Sequence, residues 1–372
     1  MPVDNVSSAD VIRCIHHSAQ TKTPLFLSTP NLNFFNTGWR DPAFHKSLLC
    51  SDLCPPDGMP VVWLSRLLGV PMRQRIAGSD ILALLREQRT SRPLELFFFG
   101  GDEGVAEAAA KIFNEPGNGA RCIGWIYPGF HPVADMSSDE IVGAINDSGA
   151  DFLVVALGAR KGQAWLMHNA GRLRIPVRAH FGASLNFEAG RLKRAPKRLQ
   201  QWGMEWLWRI KEEPYLWRRY LDDGLSFLHA LWTYVAPLVG ERRLAASRPK
   251  RDFAIHSFVD ESGVVTVTMA GPATIEHIDR IIAEFSTALK AAEKITIDMS
   301  AVTTVDPRFL GLLIIFRRKV ERARLGLAFV GISADLKWQF QRHKSEFLVA
   351  PQAAEAFAPE ANERRALSAA AS

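Results

Sequence analysis

The chain has 372 residues, 47% of them hydrophobic, and 45 Lys and Arg against 39 Asp and Glu give a formal net charge of +6. That is ample for two domains with ordinary cores, at about 100–200 residues each. Cys14, Cys50, Cys54 and Cys122 form no CxxC pair, and Cys50, Cys54 and His45 lack the second ligand pair of a zinc site. Neither disulfides nor a structural metal are expected. Met1–Gln20 holds no apolar core flanked by basic residues, so no secretory signal is read and the chain is expected to stay inside the cell.

In chain order the first part reads as a strand at Pro24–Thr29, a helical stretch at Asn33–Leu49, a helix at Ile81–Gln88 and a strand at Glu95–Phe99. A helix at Val105–Phe113, a strand at Phe152–Leu157 and a helix at Gln163–Arg172 follow. Short apolar runs closed by Gly and followed by helical periodicity predict α/β units on a largely parallel sheet, which binds ligands at its strand ends. Leu94–Phe99 runs into Gly100-Gly101-Asp102-Glu103-Gly104 and an Ala-rich helix, a geometry able to hold a nucleotide phosphate or ribose. It matches neither standard Gly-rich fingerprint, so a turn without a ligand stays open. At Leu157-Gly158-Ala159-Arg160-Lys161-Gly162 two cations strengthen the phosphate reading.

Ser51-Asp52-Leu53-Cys54-Pro55-Pro56-Asp57-Gly58-Met59-Pro60 sets a carboxylate on a Pro/Gly turn, and Gln74-Arg75-Ile76-Ala77-Gly78-Ser79-Asp80 sets an arginine on a second turn. A loop carboxylate can take a proton from a hydroxyl, and a guanidinium offers forked donors to a diphosphate. Spacing alone equally allows an Asp-Gly turn and a helix cap at Ser79 or Asp80.

Both segments resemble the signature of the WecG/TagA/CpsF family of bacterial glycosyltransferases. Further matches follow in order: Thr29-Pro30-Asn31, Gly149-Ala150-Asp151-Phe152 running into Val154–Gly158, Phe187-Glu188-Ala189-Gly190, Lys193-Arg194-Ala195-Pro196 and Gly203-Met204-Glu205-Trp206-Leu207-Trp208-Arg209. The resemblance implies a Rossmann-like parallel-sheet domain over residues 1–214. It also implies inverting, cofactor- and metal-independent transfer of a sugar from a UDP-sugar to a polyprenyl-diphosphate-linked acceptor, in exopolysaccharide or cell-surface glycan synthesis. Asp57 would be the general base and Arg75 the first cation on the leaving diphosphate. Lys161, Arg194 and Arg209 are next, with Arg218 and Arg219 reaching in; Asn31 and Asp80 would position sugar hydroxyls, and Gly100 and Gly101 would line the nucleotide.

The family usually reads Gly-x-Pro-Lys-Gln-Glu before a Trp, whereas this chain has Gly158-Ala159-Arg160-Lys161-Gly162-Gln163-Ala164-Trp165. Gly162 and Gln163 thus replace the Gln and Glu, and Gln163 is kept as a polar contact. The change leaves open a non-catalytic regulator that senses a nucleotide sugar; retention of Asp57 and Arg75 speaks against it. No nucleic-acid partner is expected.

Residues 190–251 hold 14 Lys and Arg against 6 Asp and Glu, together with five of the ten tryptophans. Trp217, Leu221, Leu225, Leu228, Trp232 and Val235 draw one apolar stripe on a helix. The apolar run at 225–239 is shorter than the roughly 20 residues of a spanning helix. Residues 215–251 therefore read either as a helix packed on its own domain plus a linker or as a segment lying on a bilayer. The resemblance favours the second, a protein held peripherally at the cytoplasmic face of the membrane.

The rest, 252–350, reads as strands at Ala254–Val259, Val264–Ala270, Ile295–Met299 and Leu327–Val330, with helices at Ile275–Lys290 and Arg308–Arg324. Gly271-Pro272, the run Thr296–Asp306 and Leu310-Gly311-Leu312-Leu313 resemble the STAS domain, a smaller α/β fold. Where phosphorylatable members carry Ser or Thr after the second Asp, this chain has Pro307 after Asp306, so a docking or self-association module is expected. Arg317–Arg324 reads as a solvated basic helix face or a patch for acidic partners. The tail 351–372 is expected to be flexible.

Overall fold

The computed structural model describes every residue except Ser91, Lys197, Gln200, Gln201, Lys344, 241–251 and 351–372. The expected linker at 241–251 and the expected flexible tail lie outside the described residues. These form two units, one up to residue 240 and one from residue 252.

In the first unit β1 (Leu25–Ser28), β2 (Leu94–Gly100), β3 (Ala120–Ile126), β4 (Phe152–Ala156) and β5 (Val177–His180) make an all-parallel sheet in the order β1-β5-β4-β2-β3. Alternation along the strands covers both faces. Leu96, Phe98, Phe152 and Val154 enter one apolar core, while Phe97, Phe99, Leu153 and Val155 enter the other. Such two-sided burial explains why these strands read as unbroken apolar runs, each large side chain contributing about 1.5–3 kcal/mol.

The connecting helices are α1 (Ser8–Thr21), α2 (Leu32–Arg40), α3 (Pro42–Cys50), α4 (Met59–Leu67), α5 (Gly78–Glu87), α6 (Val105–Phe113), α7 (Asp139–Asp147), α8 (Ala159–His168) and α9 (Ser184–Glu188), then α10 (Glu205–Glu212) and α11 (Trp217–Ala230). The single helical stretch expected at 33–49 is two helices. Pro42 cannot donate a helical hydrogen bond and restricts the residue before it, and the Asp41 side chain caps α3 by accepting from Ala43 and Phe44, both at 3.1 Å. Strands β3 and β5 are additions to the expected set. In β5 the polar Arg178 breaks the apolar run, yet its guanidinium donates to the carbonyls of Ala170, Leu173 and Ile175, all at 2.9 Å.

In the second unit β6 (Ala254–Val259), β7 (Val264–Ala273), β8 (Lys294–Val305) and β9 (Gly326–Val330) form a sheet in chain order, antiparallel only between β6 and β7. Helices α12 (Ile278–Ala291), α13 (Pro307–Arg322) and α14 (Ala334–Arg342) complete it. The Asp306 side chain caps α13 through Phe309 N–H at 2.8 Å and also accepts from Ile275 N–H at 2.8 Å. The expected basic face needs correction: Arg317 is only 2% exposed, and its Nη1 donates to the carbonyls of Phe347 at 2.6 Å and Leu348 at 2.9 Å.

Candidate active site

In the first unit a cleft of about 760 Å³ opens at the carboxyl ends of the strands. Thr29 and Asn31 follow β1, Gly101 and Asp102 follow β2, Leu157 and Gly158 follow β4, and Phe181 and Gly182 follow β5, all lining it. The chain leaves β2 toward β3 but leaves β4 toward β5, so the sheet reverses direction between β2 and β4, where a parallel sheet leaves a crevice. There Gly101 N–H donates to Ala156 O at 2.7 Å. Gly100, at φ +94°, must lack a side chain, because a Cβ would come within 2.8 Å of Leu157 Cδ2 and 3.0 Å of Ala156 O. Of the two glycines expected to line the nucleotide, Gly101 lies in the cleft lining and Gly100 does not, since it packs against Leu157 and Ala156.

Backbone hydrogen bonds deliver Asp57 to this cleft. Residues 51–54 run beside β1, with Ser28 N–H donating to Leu53 O at 3.0 Å and Phe26 N–H to the Asp52 carboxylate at 2.9 Å. Asp57 N–H then donates to Pro30 O at 2.9 Å, and Ile76 N–H to Pro56 O at 2.7 Å. Three loops that are distant in sequence, bearing Asn31, Asp57 and Arg75, are thereby tied together. Asp57 is half-buried and lines the cleft. Burial pushes its carboxyl up to about 7, reinforced by Glu205 and Asp80 and opposed by Arg75 and an Asn31 hydrogen bond.

Arg75 is held at both ends, by Glu205 at 2.6 Å and Asp80 at 3.1 Å. Burial alone would lower its pKa, but Glu205, Asp80 and Asp57 raise it, so it stays a cation. Asp80 does not line the cleft: it accepts from Ala77 N–H at 3.1 Å and pairs with Arg75 and Arg194, while Arg194 also donates to Ser79 Oγ at 2.9 Å. Asp80 and Arg194 thus brace Arg75 from outside instead of reaching the cavity. The sugar-hydroxyl role expected of Asp80 does not fit that position.

Arg209 lines the cleft, pairs with Glu213 at 2.5 Å and stacks over Phe187 at 5.1 Å. Its Nη1 is buried with no partner among the described residues. Lys161 and Arg219 also line the cleft; Arg218 does not, its guanidinium lying 5.4 Å from the Trp217 ring. Gln163 also needs correction. It is 0% exposed and donates to Ser28 Oγ at 2.8 Å, so it is no wall of the cleft.

Helix α11 closes one side. Asn36 Nδ2 donates to the buried Asp223 at 2.9 Å, Arg40 to Ser226 at 2.6 Å, and Trp39 and Tyr234 lie 4.2 Å apart. The expected apolar stripe does not take part in this packing except at Val235. Trp217, Leu221, Leu225 and Leu228 are about half exposed, and Trp232 is 80% exposed. Sequence reasoning passed over Glu205, Glu213 and His180, which all line the cleft. Glu205 stood inside a quoted motif, but its pairing with a residue 130 positions away has no local signal.

The model of the glycosyl transferase WecG/TagA/CpsF family matches residues 1–238. The chain belongs to this family. It is a glycosyltransferase, and a STAS domain model matches residues 258–358. Curated relatives are named N-acetylglucosaminyldiphosphoundecaprenol N-acetyl-beta-D-mannosaminyltransferase. The one from Bacillus spizizenii is 29% identical over 53% of this chain and 75% of its own length. Those from Bacillus subtilis and Staphylococcus aureus are 28% and 24% identical, covering 55% and 54% of this chain and 78% and 76% of theirs.

Proposed function

We propose that this glycosyltransferase moves a sugar from a UDP-sugar to a saccharide linked through diphosphate to a polyprenyl lipid, with inversion and without a metal ion, in exopolysaccharide or cell-surface glycan assembly. The names of the relatives support the acceptor class. The observation that carries the chemistry is Asp57, a carboxyl at about 7 in the lining of a cleft that also holds Arg75, Arg209 and Arg219. A base with that pKa is ionised often enough at neutral pH to act and basic enough to take a proton.

Asp57 removes the proton of the acceptor hydroxyl while that oxygen attacks the anomeric carbon. The bond from that carbon to the diphosphate breaks on the opposite side, and its electron pair leaves with UDP. Arg75 and Arg209, with Lys161 and Arg219 beside them, face the charge that gathers on the diphosphate. Arg209 Nη1, buried and without a partner among the described residues, suits a phosphate oxygen. Asn31 holds Asp57 and the incoming hydroxyl in register.

The lipid end of the acceptor explains the exposed stripe of α11 and of the helical turn Leu231–Val235 that follows it. No helix among the described residues is long and apolar enough to cross a membrane. Leu221, Leu225, Leu228 and Trp232, beside Arg218, dip into the headgroup layer instead. The second unit serves as a docking or self-association module, since Pro307 offers no hydroxyl for phosphorylation at the capped start of α13.

The test is incubation of the full chain with UDP-N-acetylmannosamine and an N-acetylglucosaminyl-diphosphate lipid, with mass spectrometry of the lipid. Added mass of one sugar supports the proposal. An unmodified lipid across a panel of UDP-sugars refutes it.

A further inference from the structure

Gly162 lies in the first turn of α8, where glycine is a poor helix former, so its presence needs a reason. The reason is His180. A Cβ on residue 162 would sit 2.0 Å from His180 Cδ2 and 2.8 Å from Nε2. No side chain fits at 162 while this imidazole is in place. The ring fills the room that a side chain at 162 would take.

Its surroundings also fix which nitrogen carries the proton. Nε2 lies 2.7 Å from Leu157 O, and a carbonyl oxygen can only accept, so Nε2 is the donor. Burial pushes the imidazole pKa down to about 4, against the weaker raising effect of that bond, so the ring is neutral. Nδ1 is then a bare lone pair. It is closed off from bulk water, has no partner among the described residues, and belongs to a ring that forms part of the cleft wall, packed 5.9 Å from Phe34. Buried acceptors are seldom left unmet without a role.

Resting on the donor reading above, we infer that His180 is a specificity-determining residue, whose Nδ1 accepts a hydrogen bond from a hydroxyl or acetamido N–H of a neutral sugar on the nucleotide. With the ring removed, a glutamine at 162 would offer an amide oxygen as acceptor in its place. An anionic group cannot make this contact, because it would bring lone pair against lone pair.

Calorimetric titration of the full chain with UDP and with UDP-glucose, UDP-N-acetylglucosamine and UDP-N-acetylmannosamine tests the assignment. For wild type at least one sugar nucleotide is expected to bind about tenfold tighter than UDP, the scale of one hydrogen bond to a buried partner. His180→Phe keeps an aromatic ring at this place while removing the Nδ1 acceptor together with the Nε2 donor to Leu157 O, and should bind UDP as wild type does while losing that advantage. The double variant Gly162→Gln/His180→Gly should keep it. UDP binding intact with the sugar advantage unmoved in His180→Phe overturns the assignment and leaves the donor reading standing; loss of the advantage in both variants also overturns it. Wild type that binds no UDP removes the donor reading and this assignment together.

Discussion

Replacing Asp57 by Asn is expected to abolish transfer and at the same time stabilise the protein. The fold holds this carboxyl at about 7 against 3.8 for an ordinary aspartate, chiefly through burial. At roughly 1.4 kcal/mol per pKa unit the interval corresponds to about 4 kcal/mol. Because the folded state favours the acid form, the stabilisation is full below pH 3.8, shrinks as pH rises, and is gone above about 7. Asn has the shape and neutrality of the protonated acid and gives nothing up. The stability advantage of Asp57→Asn should therefore grow by about 3 kcal/mol between pH ~5 and pH ~8. Urea unfolding of both proteins, followed by tryptophan fluorescence across that range, measures it. A difference that stays constant with pH would refute the placement of this carboxyl in a desolvating wall.

Glu205→Gln removes a charge that raises the Asp57 pKa, so the rise of kcat/KM with pH should move to lower pH, as a stopped assay over a pH series would show. Arg75→Lys keeps the charge but loses the fork that spans Glu205 and Asp80, and transfer should fall roughly 100-fold with donor binding reduced far less. Changing Leu221, Leu225, Leu228 and Trp232 together to Ser should release the protein from anionic vesicles in a flotation assay while UDP binding is unchanged, because these side chains carry little packing. Arg317→Ala strips the carbonyls of Phe347 and Leu348 of a buried donor and should cost the second unit about 2–4 kcal/mol, seen as an earlier calorimetric transition.

Strands β2 and β4 and helix α6 were legible because two-sided burial writes itself as apolar runs and Ala-rich periodicity. The α2–α3 break was not read, although Asp41-Pro42 marks it locally. Strands β3 and β5 carry Arg121 and Arg178 and so hide their period. At the site, Asp57, Arg75, Asn31, Lys161 and Arg209 were named from motifs and share one cleft. Gln163 and Arg317 were misjudged because a polar residue reads as exposed unless its buried partner is known. Arg218 and Arg219 are adjacent in sequence, and only helix rotation decides which one faces the cleft.

The most direct measurement is the pH dependence of acceptor-stimulated UDP release by wild type and Asp57→Asn. Wild type should rise through a single ionisation near 7, with the variant flat and close to the background without acceptor. A wild-type profile with no ionisation in that region, or a variant that keeps the wild-type rate, contradicts Asp57 as the base.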